Sequence, residues 1–209
     1  MKTYRIQRIH SQPDWSAVPV LQIDHPYLET TQDIRAYAQL CYGAEALFVH
    51  LWAEELQIRA VEKGALGMPC EDSCLEFFFC PIEGDPRYLN LEFNPNGCFY
   101  LGIGSCVDDL TRLVPDEADQ VFKPNIHRSA AGWEIFYQIP YRFILRFFPN
   151  FDAAPGTTIR ANCYKCSDLS VPPHYLSWSP IQGTPFTFHR PDSFGFMIFS
   201  NDEKGEIQQ

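Results

Sequence analysis

Apolar and polar residues alternate strictly in short runs along the chain, which is the period of strands rather than of helices. Residues 4–9 form the first run. Residues 47–52 place Leu47, Val49 and Leu51 on one face and Phe48, His50 and Trp52 on the other, with residues 57–62 as the expected hairpin partner. Three central runs are the clearest. Cys74–Cys80 alternates Leu75, Phe77 and Phe79 against Cys74, Glu76, Phe78 and Cys80. Residues 88–94 set Leu89, Leu91 and Phe93 against Tyr88, Asn90, Glu92 and Asn94. Pro95-Asn96-Gly97 then turns the chain into residues 98–103, because Asn and Gly tolerate the positive φ that a tight hairpin needs. Residues 133–139, 158–166 and 193–199 alternate in the same way.

Helical signals are sparse. Residues 31–40 are one short candidate, with Asp33 in the first turn, and Pro140 opens a second over residues 141–148. No internal repeat, low-complexity tract or linker divides the chain, so residues 1–209 read as a single domain. Some nine to eleven short strands with almost no helix predict an all-β fold, a two-sheet antiparallel β-sandwich of immunoglobulin or jelly-roll type with one or two short helical segments.

Composition agrees. Seventeen Phe, ten Tyr and four Trp, with 45% hydrophobic residues, exclude disorder, and 17 Pro and 12 Gly punctuate the strands. The net charge of −10 argues against nucleic acid and anionic membranes as partners, since both attract basic surfaces. No run approaches the roughly 18 apolar residues of a spanning helix, and the first residues carry no apolar leader, so the expected location is cytoplasmic. Eight Cys are then expected to be reduced. Cys70/Cys74 and Cys163/Cys166 invite a zinc reading. Residues three apart in a strand point to opposite faces, however, so the expectation is small core residues and no metal site. Asp108-Asp109 and the acidic run at residues 116–119 lack the spacing of a calcium loop, so no cofactor is expected and calcium has no motif behind it.

The candidate chemistry lies opposite the core. Glu76, Asn90, Glu92 and Asn94 share a face if their strands are neighbours, and Arg160, Asn162 and Tyr164 join them if the third strand enters the same sheet. Carboxylates and amides suit sugar hydroxyls, and aromatic surfaces suit the C–H faces of a pyranose ring. Trp178, in a Pro-rich segment, is a candidate platform. Trp15, Trp52 and Trp133 read as packing, and His50, His127, His174 and His189 lack metal-ligand spacing. Catalysis has little behind it: no GxSxG, P-loop or GxGxxG is present, and a Glu76/Glu92 pair meets the glycosidase separation merely by lying on adjacent strands.

The segments Glu71-Asp72-Ser73-Cys74-Leu75-Glu76-Phe77-Phe78 and Tyr88-Leu89-Asn90-Leu91-Glu92-Phe93-Asn94-Pro95-Asn96-Gly97 resemble the central strands of carbohydrate-binding module family 9. Trp133-Glu134 with Ile139-Pro140-Tyr141, and Ser177-Trp178-Ser179-Pro180 with residues 188–195, resemble its later strands, so the likeness runs in order over about residues 40–199. The resemblance implies a β-sandwich that binds sugars, often chain ends, without catalysis, clamping them between two tryptophans above polar sheet residues. Carried onto this chain, the resemblance matches Glu76, Glu92 and Asn94 to the polar positions and Trp178 to the closing tryptophan. With Tyr164 and Asn162 added from the sheet face, the expected site has Trp178 and Tyr164 as apolar surfaces and Glu76, Glu92, Asn94 and Asn162 as partners for hydroxyls. The first clamp tryptophan of the family falls where this chain has Met68-Pro69-Cys70. Two alternatives stand beside this: an intracellular interaction or sensor sandwich that has lost sugar binding, and a haem-binding sandwich with Met68 and either Lys165 or His174 as axial ligands.

Overall fold

The computed structural model describes residues 2–27 and 33–201. Its strands in chain order are β1 (Thr3–Arg8), β2 (Leu21–Ile23), β3 (His25–Pro26), β4 (Arg35–Tyr42), β5 (Ala46–Glu54), β6 (Cys74–Cys80), β7 (Tyr88–Phe93), β8 (Phe99–Gly104), β9 (Thr111–Leu113), β10 (Asn125–Ser129), β11 (Gly132–Pro140), β12 (Thr158–Ser167), β13 (His174–Ser177) and β14 (Gly195–Ser200). Two short helices complete it, α1 (Ala118–Phe122) and α2 (Tyr141–Ile144), the second beginning directly after Pro140.

The fold is all-β, as the alternation predicts, but its layers are not separate. One hydrogen-bonded path runs β10-β11-β5-β4-β1-β14-β12-β6-β7-β8-β9. The link is β1, which pairs in parallel with both β4 and β14 in a sheet that is otherwise antiparallel. Two wholly antiparallel sheets are therefore corrected to one continuous mixed sheet. It curls so that its two halves share a core: Leu40, Val49, Leu51 and Ile135 from one half pack with Leu75, Phe77, Leu91 and Leu101 from the other. The rings of Phe93 and Tyr137 meet across it at 5.0 Å. Phe122 of α1 and Phe143 of α2 pack edge-on at 5.0 Å and join the same core.

Two expectations fail on this ground. Residues 35–40 are not helical; they belong to β4, while residues 31 and 32 lie outside the described residues. Ala36, Ala38, Leu40 and Tyr42 are buried on one side, and β4 runs in full antiparallel register along β5. Sheet neighbours on both edges thus override the helix preference of Ala and Leu. Residues 57–62 form no strand either. The partners of β5 are β4 and β11, and its register with β11 spans all nine residues.

Candidate functional site

The Pro-Asn-Gly turn fixes the register of β7 and β8, setting Tyr100 opposite Glu92. The pairing of β6 with β7 sets Glu92 opposite Glu76, and that of β12 with β6 sets Glu76 opposite Tyr164 and Cys74 opposite Cys166. One sheet face therefore carries Tyr164, Glu76, Glu92 and Tyr100 in a row, with Cys166 and Cys74 beside it. This face is not solvated. Phe78, Tyr88, Tyr164, Phe188 and Phe194 form a second apolar cluster over it, and Glu76 and Glu92 are only 2% and 5% exposed.

The six candidate residues separate into two groups. Glu76 and Glu92 face each other at the floor. The remaining four are spent on the fold. Asn94 donates to the Glu62 carbonyl at 2.9 Å and the Asp72 carboxylate at 2.7 Å, while its own carbonyl accepts from the backbone of Asn96 and Cys98. Asn162 exchanges bonds with the backbone of Ser179, at 2.9 and 2.8 Å. Tyr164 donates to the Phe188 carbonyl and stacks on the Phe188 ring at 4.1 Å. Trp178, 4% exposed, lies over Gly195 so closely that a Cβ there would stand 2.7 Å from its Cζ3. Neither ring faces solvent.

Other residues form the rim. Asp168, in the turn just after β12, lies near the Cys70 thiol and the Tyr175 hydroxyl, which oppose the upward push of burial on its carboxyl. Tyr175 is half-buried and continues into a shelf where Phe186 and Tyr27 stack at 3.4 Å. On the opposite side the Arg112 guanidinium lies 4.5 Å over the Tyr100 ring and donates to the carbonyls of Leu66 and Gly67. It also reaches the Met68 sulfur at 3.5 Å. Tyr100 was legible from hairpin register, whereas Asp168 lies in the turn after β12, where no strand period places it. Arg112 and Tyr175 are brought in by distant chain and carry no local signal.

Electrostatically the floor is anionic and starved of countercharge. Burial pushes the Glu76 carboxyl up to about 7, and burial followed by repulsion from Glu76 pushes Glu92 well above the usual range. Arg112 pulls Glu92 the other way. Among the described residues neither carboxylate has an ion pair. Burial also raises the thiols of Cys70, Cys74 and Cys166. A carboxylic acid and a carboxylate side by side can donate to and accept from hydroxyl groups at once.

Lys165 points to the other side of β12. Its ammonium is wholly buried, 3.3 Å from Glu55, and bonds His174 at 2.7 Å and Ser73 at 3.2 Å. Burial and then the lysine charge depress His174 to about 3. Both are committed to this internal network, while Met68 lies at the rim on the opposite face, so the three do not converge on one haem pocket. Asp109 likewise closes its own turn, accepting from the backbone of Ser105 and Cys106 and from the Ser105 hydroxyl.

The sequence pattern of carbohydrate-binding family 9 matches residues 17–199, nearly the whole described chain. The chain belongs to carbohydrate-binding family 9. A proposed carbohydrate-binding protein from Bacteroides uniformis is 26% identical, with a TM-score of 0.80 over 95% of this chain and 99% of that one. Two structures of a family 9 module from Caldicellulosiruptor kristjanssonii, one with cellotriose and one with glucose, superpose with a TM-score of 0.64 at 15% identity. The cellotriose complex covers 100% of this chain and 98% of its own, and the glucose complex 98% and 100%. No curated protein matches the chain significantly.

Proposed function

We propose that this family 9 domain is a non-catalytic carbohydrate-binding module whose ligand sits on the rim above Glu76 and Glu92. The observation that carries the reading is the cross-strand carboxyl pair, buried in register beneath a half-exposed margin of aromatic and polar groups. Tyr175 and Tyr100 offer ring surfaces to sugar C–H groups, Asp168 and Arg112 offer charged partners to hydroxyls, and Glu92 lies below them. The pair by itself does not mark a glycosidase: cross-strand register alone sets the two carboxyls side by side, and both are buried beside the aromatic cluster, with little surface left to meet a glycosidic bond. Carbohydrate thus stands as the partner, in preference to nucleic acid or membrane, for a chain of net charge −10.

Calorimetry tests this against glucose, cellotriose and a panel of other mono- and oligosaccharides. Losing one hydrogen bond to a charged group costs about 1.5–3 kcal/mol, so Glu92→Gln and Asp168→Asn should each weaken binding roughly ten- to hundredfold. A second reading has its own observation. With Met68 at the first clamp position and Trp178 in the core, the domain is an interaction or sensor module that has lost sugar binding. No sugar binding tighter than millimolar would select that reading and overturn the first.

A further inference from the structure

We propose that Cys74, Cys166 and Glu76 form a binding site for a thiophilic divalent cation of the zinc type, beneath the rim and sharing Glu76 with its carboxyl floor. The two cysteine pairs visible in the sequence are not the ligand pairs. Cys163 faces the main core, whereas Cys166, on the opposite side of β12, is the direct cross-strand partner of Cys74. Both thiols are free, and Glu76 follows Cys74 by one strand period, so its carboxylate projects from the same face.

The geometry is close to that of a metal site. The two sulfurs and a Glu76 carboxylate oxygen lie within 4.8 Å of one another, and the Cys166 thiol donates to Glu76 at 3.0 Å. Three atoms no more than 4.8 Å apart share a point about 2.8 Å or less from each, against about 2.3 Å for a Zn–S bond and about 2.0–2.2 Å for Zn–O. Side chains therefore need to move inward by only about 0.5 Å, well within rotamer adjustment. Two thiolates with one carboxylate favour zinc over calcium or magnesium, which take all-oxygen shells.

The surroundings ask for a cation. Cys74, Glu76 and Cys166 are all at most 2% exposed, packed under Phe78, Tyr164 and Phe188, and Glu76 has no ion pair among the described residues. Cys70 stands alongside, its backbone carbonyl 3.7 Å from the Cys166 sulfur. A bound ion would cross-link β6 to β12 beneath the rim.

The test uses the full chain, reduced with a phosphine and stripped of metal, titrated with cobalt(II) and then zinc(II). One cobalt per chain should bind with a thiolate-to-cobalt charge-transfer band that zinc removes. Zinc at a hundred times its Kd should raise Tm by roughly 5–10 °C, and magnesium should not. Glu76→Gln, which keeps the side-chain shape, should weaken cobalt binding at least tenfold, Cys166→Ser should abolish the band, and Cys106→Ser, at the half-exposed turn, should leave it intact. Absence of the band in reduced wild-type protein overturns the proposal, as does its persistence in Cys166→Ser. Should Cys166→Ser fail to fold, the zinc-dependent Tm shift and Glu76→Gln decide alone: no shift, or an unweakened Glu76→Gln, overturns it.

Discussion

Trp178 separates a structural ring from a sugar platform, and truncating it to alanine measures which role it has. The ring is 4% exposed, belongs to the main core, and lies against the backbone of Gly195. A buried aromatic covers about 150–250 Å², which at about 25 cal/mol per Å² is roughly 4–6 kcal/mol of apolar transfer. Alanine retains a small share of that, in line with the 3–5 kcal/mol typical of Trp→Ala in cores. For a chain of this size each kcal/mol lowers Tm by about 2–4 °C, so Trp178→Ala should melt roughly 6–20 °C below wild type. The assay pairs thermal and urea unfolding with sugar calorimetry well below the lowered Tm, where the variant is still folded. Surviving protein should bind sugar nearly as wild type does, since the ring touches none of the rim. A variant that melts within about 3 °C of wild type but no longer binds sugar would refute this account, and would return Trp178 to the surface.

Other expectations follow from the same structure. Gly195→Ala pushes a methyl to within 2.9 Å of both the Trp178 ring and the Lys2 carbonyl, so urea unfolding should show a loss of about 1–3 kcal/mol from overpacking. Lys165→Met strands Glu55 and His174 without their cation and should cost about 3–5 kcal/mol by urea unfolding, much of it recovered in the Lys165→Met/Glu55→Gln double variant. Burial holds His189, whose Nδ1 meets the Tyr88 hydroxyl at 2.7 Å, down to about 4. The unfolded chain, with a histidine near 6.5, therefore binds the extra proton between pH 6.5 and 4. Relative to His189→Gln, wild-type stability should be constant above pH 6.5 and fall by up to about 3 kcal/mol as pH drops to 4, a difference that paired unfolding curves measure. A difference independent of pH would show that the imidazole is not held neutral.

Period-two alternation made the central meander legible because one apolar face leaves a direct imprint on the chain. β6, β7 and β8 lie where the alternation places them, and the Pro95-Asn96-Gly97 turn fixes Glu76, Glu92 and Tyr100 in one row. β4 escaped because Ala36, Ala38 and Leu40 are good helix formers although their spacing of two is that of a strand, and pairing with β1, β2 and β5 decides the matter. The opposite face carries polar residues in the alternation, yet it is covered by irregular chain around Cys70, Leu110 and Phe188, which has no periodicity. Asn94 and Asn162 carry the residue types of a sugar site, but their capacity goes to the fold, Asn94 to its own turn and to Glu62 and Asp72, Asn162 to the backbone of Ser179, which residue type does not disclose. The parallel pairing of β1 is a property of chain closure and leaves no mark on residues 3–8.

That pairing has a consequence for how the protein is made. Thr3 to Gln7 align with Phe196 to Ser200, so the seam that joins the two halves of the curled sheet unites segments almost two hundred residues apart. On a ribosome emitting about 5–20 residues per second, β1 waits on the order of ten to forty seconds before its partner exists. Until then the edges of β1 and β12 that face β14 lack the strand that will join them. An open edge beside an apolar sheet is a template for stray pairing, so the nascent chain stays exposed to aggregation until residues 195–200 emerge.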